Sequence, residues 1–473
     1  MTDVDAVVVG AGPNGLVAAV ALAEAGWKVV VFEAGEHAGG GLRTEEFTVP
    51  GFRHDVGATV HALTLASPAF RAIDLSREGL RLAHPGIPLG HAITPGTSAL
   101  LHRSAHETAA KLGRDGRRWE RIMGRFGERW QGLVDSVLDP TALPPNAPRE
   151  LIEFGLHGLW PATATMSVAF REEPARALFA GLAVHAALEL HQPLTAGIAL
   201  LLGGLAHGVG WPVAVGGSQS VADALVARLV SLGGEVRTGQ RVTSLAELPS
   251  ARATLLDLTP RQILAVAGDR LPSRYAARLR RWRYGPAVSK VDWALDGPVP
   301  WADPSLAEAG TVHIGGTGAA VVASELAVKR GTMSDEPYVL FVQPTIADPS
   351  RAPAGKHTAW AYCHVPYGSN LDASDIIEAR VELFAPGFRE RVLGRHVMSP
   401  AALENWDANL VGGDIGGGVT DWRQLVSRPR LSLRPWSTPV PGLFLCSSST
   451  LPGGGAHGMG GWNAAKTVLA RLS

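Results

Sequence analysis

Residues 4 to 33 carry the pattern with the clearest chemical use. Gly10-Ala11-Gly12-Pro13-Asn14-Gly15 stands between an apolar run, Val4–Val9, and an alanine-rich stretch, and a second apolar run, Val29–Phe32, ends on Glu33. Gly10 permits a tight strand-to-helix turn, Gly12 lets bare backbone approach a pyrophosphate, and Gly15 lets a helix lie close on a sheet. A helix that begins near Pro13 turns its free N–H groups and its positive end toward that anion, so no lysine is required. Glu33 falls at the offset expected for an acid that accepts hydrogen bonds from ribose hydroxyls, and it repels a 2′-phosphate. The pattern predicts a site for FAD or NAD rather than NADP.

The rest of the chain must position that site. At 473 residues it exceeds one compact core, so two domains are expected, each open to assembly from separated segments. Lys plus Arg and Asp plus Glu both number 43, which leaves no net field to gather nucleic acid or anionic lipid. Nucleic acid is therefore excluded as an expected partner, and peripheral membrane contact stays open but unsupported. Cys363 and Cys446 are the only cysteines, too few for a disulfide framework, and the start of the chain shows no basic export signal. A cytoplasmic location is expected. The apolar tract 193–217 is broken by Gly203, Gly204, His207 and Gly210, which predicts a buried helix rather than a membrane span.

Helical spacing from about Ala72 to Leu205 predicts a mainly helical cap. A helix is expected over Val221–Leu232, strands over Glu235–Thr238, Arg241–Leu245 and Thr254–Leu258, and an alternating strand over Tyr284–Ala294, pieces that could return to the first sheet. Short strands at Tyr338–Val342 and Thr358–His364 and a helix near Asp375–Phe384 predict an antiparallel sheet in a substrate domain. The C-terminal region runs from an apolar strand, Gly442–Cys446, through a glycine-dense loop into a last helix.

Five ordered landmarks now stand on the page: the Gly10–Gly15 loop with Glu33, the Gly39-Gly40 doublet, Gly216-Gly217-Ser218, Gly412-Gly413-Asp414-Ile415, and the terminal strand, glycine run and helix. Together they resemble flavoproteins of the phytoene desaturase-like family, within the wider flavin amine oxidase superfamily. The resemblance implies an α/β fold with a Rossmann-type FAD-binding domain built from residues 1–71, 206–292 and 426–473. A substrate domain with an antiparallel sheet and helical cap would take residues 72–205 and 293–425. It implies that Gly10, Gly12, Gly15, Glu33, Gly39 and Gly40, with Pro13, Asn14, Ala34, Gly41 and Leu42, hold the ADP half of FAD. Val242 would meet the adenine through its backbone, and Gly458, Met459, Gly460 and Asn463 would reach the flavin ring.

Two departures from that family pattern stand out. Cys446-Ser447-Ser448 replaces the Gly-Asp or Gly-Ala of many relatives, leaving Ser448 as a substitute contact to the flavin side chain. Only residues 246–252 separate two expected strands where many relatives insert a hairpin. Cys446 has no recognisable base partner, so noncovalent FAD is expected.

Lys290 falls where flavin amine oxidases place a lysine that contacts flavin N5 through water. Alternation sets it on one face with Asp292, which leaves two readings open, a buried catalytic lysine and an exposed surface pair. His457, inside the terminal glycine run, is a candidate base or substrate-orienting group, set against a histidine that merely bonds a nearby carbonyl. His54, Asp55 and His61 are candidates to line the flavin face, without an assigned catalytic role. His185, His191 and Glu189 have loose metal spacing without a full ligand set, so no metal is expected. Trp406, Trp422, Trp436 and Trp462 are candidates to shape an apolar pocket or to pack a core. The implied activity is a desaturase or dehydrogenase, or a related saturase or isomerase, that moves a hydride between an apolar, isoprenoid-like molecule and flavin N5. A flavin amine oxidase and a non-catalytic prenyl or protein carrier of the same fold are the alternatives. Oligomeric state is left open.

Overall fold

The computed structural model describes residues 4–142 and 144–472. A five-stranded sheet forms one half, with its strands in the order Leu443–Leu445, Ala253–Leu256, Ala6–Val9, Val29–Phe32 and Glu235–Arg237, all parallel. The three central strands are almost wholly valine, leucine and alanine and are buried along nearly their whole length, as a parallel sheet covered on both faces demands. The helix Pro13–Glu24 follows the first strand at once, with Gly12 at its N-cap and proline in its first turn. Its many alanines let neighbours close in on it: the last helix, Met459–Leu472, and the helix Gln219–Ser231 both pack against it.

The second half is a seven-stranded sheet ordered Val392–Met398, Ala287–Leu295, His357–Val365, Val339–Val342, Ala309–Ile314, Ile87–Thr94 and Thr97–Leu101. It is antiparallel except where Ala309–Ile314 runs parallel to Ile87–Thr94. The helix Glu173–Ala183 packs on the strands Ile87–Thr94 and Thr97–Leu101, with Thr195–Gly208 against it and Pro148–Gly158 against that helix in turn. The protein thus has an α/β architecture that joins a Rossmann-type parallel sheet, assembled from distant segments, to an antiparallel sheet under a helical cap.

Several expectations need correction. The expected helical region 72–205 contains a hairpin, Ile87–Thr94 with Thr97–Leu101, that supplies two strands to the larger sheet. Pro88, Gly90 and the Gly96 turn are poor helix residues and good hairpin ones. Residues 241–245 form no strand: the chain leaves the Glu235–Arg237 edge through Gly239, at φ 65°, and continues as irregular backbone to a short 3-10 turn at Leu245–Glu247. The strand Ala287–Leu295 does not return to the parallel sheet but is a member of the seven-stranded one, so the expected boundary at 292 falls inside it. The tract 193–217 does hold a buried helix, Thr195–Gly208, and among the described residues no helix is long and apolar enough to cross a membrane.

Candidate functional site

A continuous cavity of about 830 Å³ runs from the glycine loop, between the two sheets, to the underside of the helical cap. At one end Gly10, at φ 100°, turns the chain out of the first strand, and Gly12, Pro13 and Asn14 present backbone to the cavity. A side chain on Gly15 would run into the Gly10 carbonyl, so the helix can lie this close to the sheet only with glycine there. Glu33 ends the second strand beside the loop, and its carboxylate accepts the N–H groups of Ala11 at 2.7 Å and Gly35 at 2.8 Å. Ala34, Gly40, Gly41 and Val242 also line this end, and a Cβ on Gly41 would meet nothing within 4 Å. Bare backbone, a helix N-terminus and an acid at the ribose offset fit the ADP half of FAD.

Three expected cofactor residues sit elsewhere. Gly15 is behind the loop. Gly39, at φ 135°, packs on Ala222 and Gln219 and donates its N–H to the Ala11 carbonyl, and Leu42 is core. The terminal motif divides in the same way. Residues 453–457 and Ser448 line the cavity, whereas Gly458, Met459, Gly460 and Asn463 do not. Gly458 lies against Val17, Gly460 against the Cys446 carbonyl, and Asn463 directs its amide at the Leu138 carbonyl. That half of the motif seats the last helix on the first one. Its glycine density answers a helix contact, and this signal cannot be told from a ligand contact in sequence.

Lys290 is buried and faces the cavity with Asp292 beside it, so the pair is no surface pair. The Lys290 ammonium lies 2.5 Å from each Asp292 oxygen and donates to the Asp55 carbonyl at 3.1 Å. Burial raises the Asp292 carboxyl to about 6 even though Lys290 pulls it down. Asp55 itself is held low by Arg351, against its burial, and accepts the Ser218 N–H at 2.9 Å, tying the Gly216-Gly217-Ser218 segment to this wall. His54 and His61 are buried behind that wall, outside the cavity lining.

His457 lines the cavity, but its Nδ1 accepts the Met459 N–H at 3.1 Å, so the ring caps the start of the last helix. Burial lowers its pKa to about 4, so it is a neutral imidazole near pH 7. Ser448 lies against Gly417, and its carbonyl accepts two hydrogen bonds from the wholly buried Arg428. The same guanidinium grips the carbonyls of Gly416, Gly418 and Val419, fixing the loop that follows Asp414.

Several residues at this site had no sequence signal. Asp257, at the end of its strand, is buried under the glycine loop and accepts the Gly15 N–H at 2.9 Å. Burial, with smaller help from Asp407 and Glu33, raises it to about 7. Asn409 accepts from Thr259 N–H and donates to the Asp257 carbonyl, while Arg43 stacks on Trp406, so segment 406–410 closes over the Glu33 end. Trp436 and Trp462 do not line the cavity, and Trp422 is exposed. Among the described residues no three His, Cys, Asp or Glu side chains gather as a metal site, and both cysteines are buried and free.

The fold and cleft therefore define a protein with a Rossmann-type parallel sheet and a second sheet that walls a large cavity. Residues 8–73 match the family model of the NAD(P)-binding Rossmann-like domain. Over 99% of its length the chain is 28% identical to pyridine nucleotide-disulfide oxidoreductase domain-containing protein 2 of Rattus norvegicus, of which the match covers 94%. It is 25% identical to a neurosporene-forming phytoene desaturase of Rhodobacter capsulatus over 51% of this chain and 50% of that one. Among solved structures, putrescine oxidase bound to putrescine superposes with a TM-score of 0.62 over 99% of both chains at 19% identity. A likeness to a phytoene desaturase is thus found in sequence, and a likeness to the amine oxidase fold in structure.

Proposed function

We propose that this protein is an FAD-dependent oxidoreductase that moves a hydride between a carbon of an apolar small molecule and noncovalently held flavin. The observation that carries this reading is the single cavity that begins at the glycine loop and Glu33, passes Lys290 and ends between Leu194, Ile198, Leu201 and the strand His357–Val365. FAD, when bound, supplies the two-electron acceptor that no side chain of the protein provides. The work left to the residues is orientation and exclusion of water: the apolar walls hold a C–H bond in place, which removes much of the entropic barrier. Lys290 Nζ, hydrogen-bonded to Asp292, sets a buried polar pair in the cavity wall, and Asp292, with its raised pKa, is the member able to hold or release a proton there. His457 acts by positioning the terminal loop rather than as a base.

Support for a desaturase or related enzyme over an amine oxidase comes from the arrangement of the aromatics. Trp360 and Tyr362 lie side by side on one strand, 6.0 Å apart and nearly parallel, while the facing helix is aliphatic. An elongated wall with an aliphatic helix against it suits a polyene or terpenoid. The intact Glu33 end argues against a carrier that has abandoned the nucleotide.

The test is anaerobic spectroscopy. The purified protein should be yellow, bleach with dithionite, and bleach with members of a polyene and terpenoid panel but not with an amine panel. Bleaching by amines alone selects the amine oxidase reading, and a colourless protein that takes up no FAD removes both.

A further inference from the structure

In the wall of the cavity, the strand His357–Val365 sets Trp360, Tyr362 and His364 on one face, two residues apart. Tyr362 stands directly opposite Lys290 across the strands, and His364 stands opposite Val288, so the imidazole lies about 7 Å further along the wall. Its Nδ1 is 2.8 Å from the Glu325 carboxylate, which reaches in from the helix Gly318–Lys329, and both side chains are buried. Burial pulls the imidazole down, but the charge and hydrogen bond of Glu325 outweigh it, and the ring ends above its ordinary pKa. With Nδ1 so committed, Nε2 carries the N–H left for a ligand. His185, 3.3 Å from His313 through its Nε2, adds a second imidazole to the same cavity wall. Burial and the nearby His364 lower its pKa to about 4, so it stays neutral.

We propose that His364, oriented by Glu325 and flanked by Tyr362 and His185, is the subsite that recognises a neutral oxygen, a carbonyl or hydroxyl, on an otherwise apolar substrate. This rests on the reading of the cavity given under Proposed function and narrows its substrate class. A hydrocarbon leaves these polar groups facing apolar surface, which is unfavourable in a closed cavity. A carboxylate is disfavoured because the charge of His364 is already balanced by Glu325. The other cavity cations are also occupied or distant: Lys290 is matched by Asp292, and Arg43 and Arg241 stand at the Glu33 end. A neutral acceptor satisfies the His364 N–H without adding charge.

Isothermal calorimetry on the purified protein incubated with excess FAD, with limonene and carvone, and with dodecane and 2-dodecanone, separates the cases, because each pair differs by one carbonyl. The expected result is at least tenfold tighter binding of the ketone in one pair or both. His364→Leu should abolish that ratio by weakening the ketone and tightening the hydrocarbon, Glu325→Gln should reduce it, and His364→Gln, which keeps an N–H donor, should restore part of it. Equal affinity within both pairs, absence of ketone binding, or a preference that survives His364→Leu overturns the proposal. Flavin content and dithionite bleaching, read on the same samples, judge the functional reading separately: a colourless protein removes that reading, while the ketone ratio still judges the subsite.

Discussion

Asp257 Oδ2 accepts the backbone N–H of Gly15 at 2.9 Å, joining the end of one parallel strand to the first turn of a helix 242 residues earlier in the chain. The same carboxyl is the floor of the glycine loop: a Cβ on Gly12 would come within 2.8 Å of Oδ2, and one on Gly10 within 3.1 Å of the Asp257 Cβ. The helix therefore receives its cap from another strand, because glycine at the N-cap position has no side chain to offer.

This contact makes cofactor affinity depend on pH. Burial raises Asp257 to about 7, so the carboxyl is largely protonated in mild acid and ionised in mild base, directly beneath the place where a pyrophosphate would lie. A raised carboxyl binds its proton in the folded state, so its contribution to stability is full below the ordinary carboxylate range and falls as pH rises toward 7. The affinity for FAD should weaken about tenfold between pH 7 and 8.5, since each unit past the pKa of one linked proton changes binding up to about tenfold. Asp257→Asn keeps the acceptor for Gly15 N–H and should bind FAD with no such slope. Fluorescence titration of FAD at a series of pH values checks this, and a flat wild-type profile would refute it.

Removal of one member of the Lys290–Asp292 pair should damage the protein more than removal of both. Lys290→Met leaves a carboxyl fully buried with its main partner gone, a loss of about 3 kcal/mol for broken buried pairs. Part of that is recovered as Asp292 takes up a proton, since burial already holds it near 6. The double variant Lys290→Met, Asp292→Leu should unfold at a higher urea concentration than Lys290→Met alone. A double variant no more stable than the single one would mean that the carboxyl is satisfied by other groups.

The parallel sheet and its glycine loop were legible in sequence because their requirements are local: β-branched runs for a doubly covered sheet, glycines at a turn, an acid at a fixed offset. The helices Gln219–Ser231 and Ser374–Phe384 and the strand His357–Val365 were legible for the same reason. What sequence could not give was partnership. The strand Ala287–Leu295 reads equally well in either sheet, and only its cross-strand pairing with His357–Val365 assigns it. Lys290 and Asp292 alternate correctly for a shared face, but whether that face meets water or a cavity depends on the distant segment, with Phe47, His54 and Asp55, laid over it. Asp257, Arg428 and the His364–Glu325 pair left no mark because their partners lie far away in the chain and no motif spacing records them.

Buried neutral histidines should make the fold labile in weak acid. Burial, as the first cause, lowers His61, His91, His185, His207 and His457 to about 4 and His54 to about 3. Each binds a proton when unfolded but not when folded between its lowered value and its ordinary 6.5, so stability falls as pH drops through that window. The raised Asp257 and Asp292 act in the opposite sense over much of the range, but the histidines outnumber them. The melting temperature should fall steadily from pH 6.5 to 4.5, and calorimetry in buffers of different ionisation enthalpy should show net proton uptake on unfolding. Net proton release would contradict the neutral state of these rings.

The two ends of the chain meet where a side chain has no room. A Cβ on Gly461 would run into the carbonyl oxygen of Asn14, and one on Gly460 would press on the Cys446 carbonyl at 2.6 Å. Gly461→Ala must therefore push the helix Met459–Leu472 away from the helix Pro13–Glu24, and backbone, unlike a flexible side chain, yields little. Overpacking of this kind lowers stability by about 1–3 kcal/mol. The larger effect should be on cofactor retention, because the same displacement carries the cavity-lining segment 453–457 away from the glycine loop. Gly155→Ala, in a half-buried helix position where an added Cβ meets nothing within 4 Å, is the matched control and should be neutral or slightly stabilising. Flavin content after gel filtration should drop severalfold for Gly461→Ala and stay unchanged for Gly155→Ala. Full flavin retention by Gly461→Ala would show that the junction of the two helices does not shape the cofactor end of the cavity.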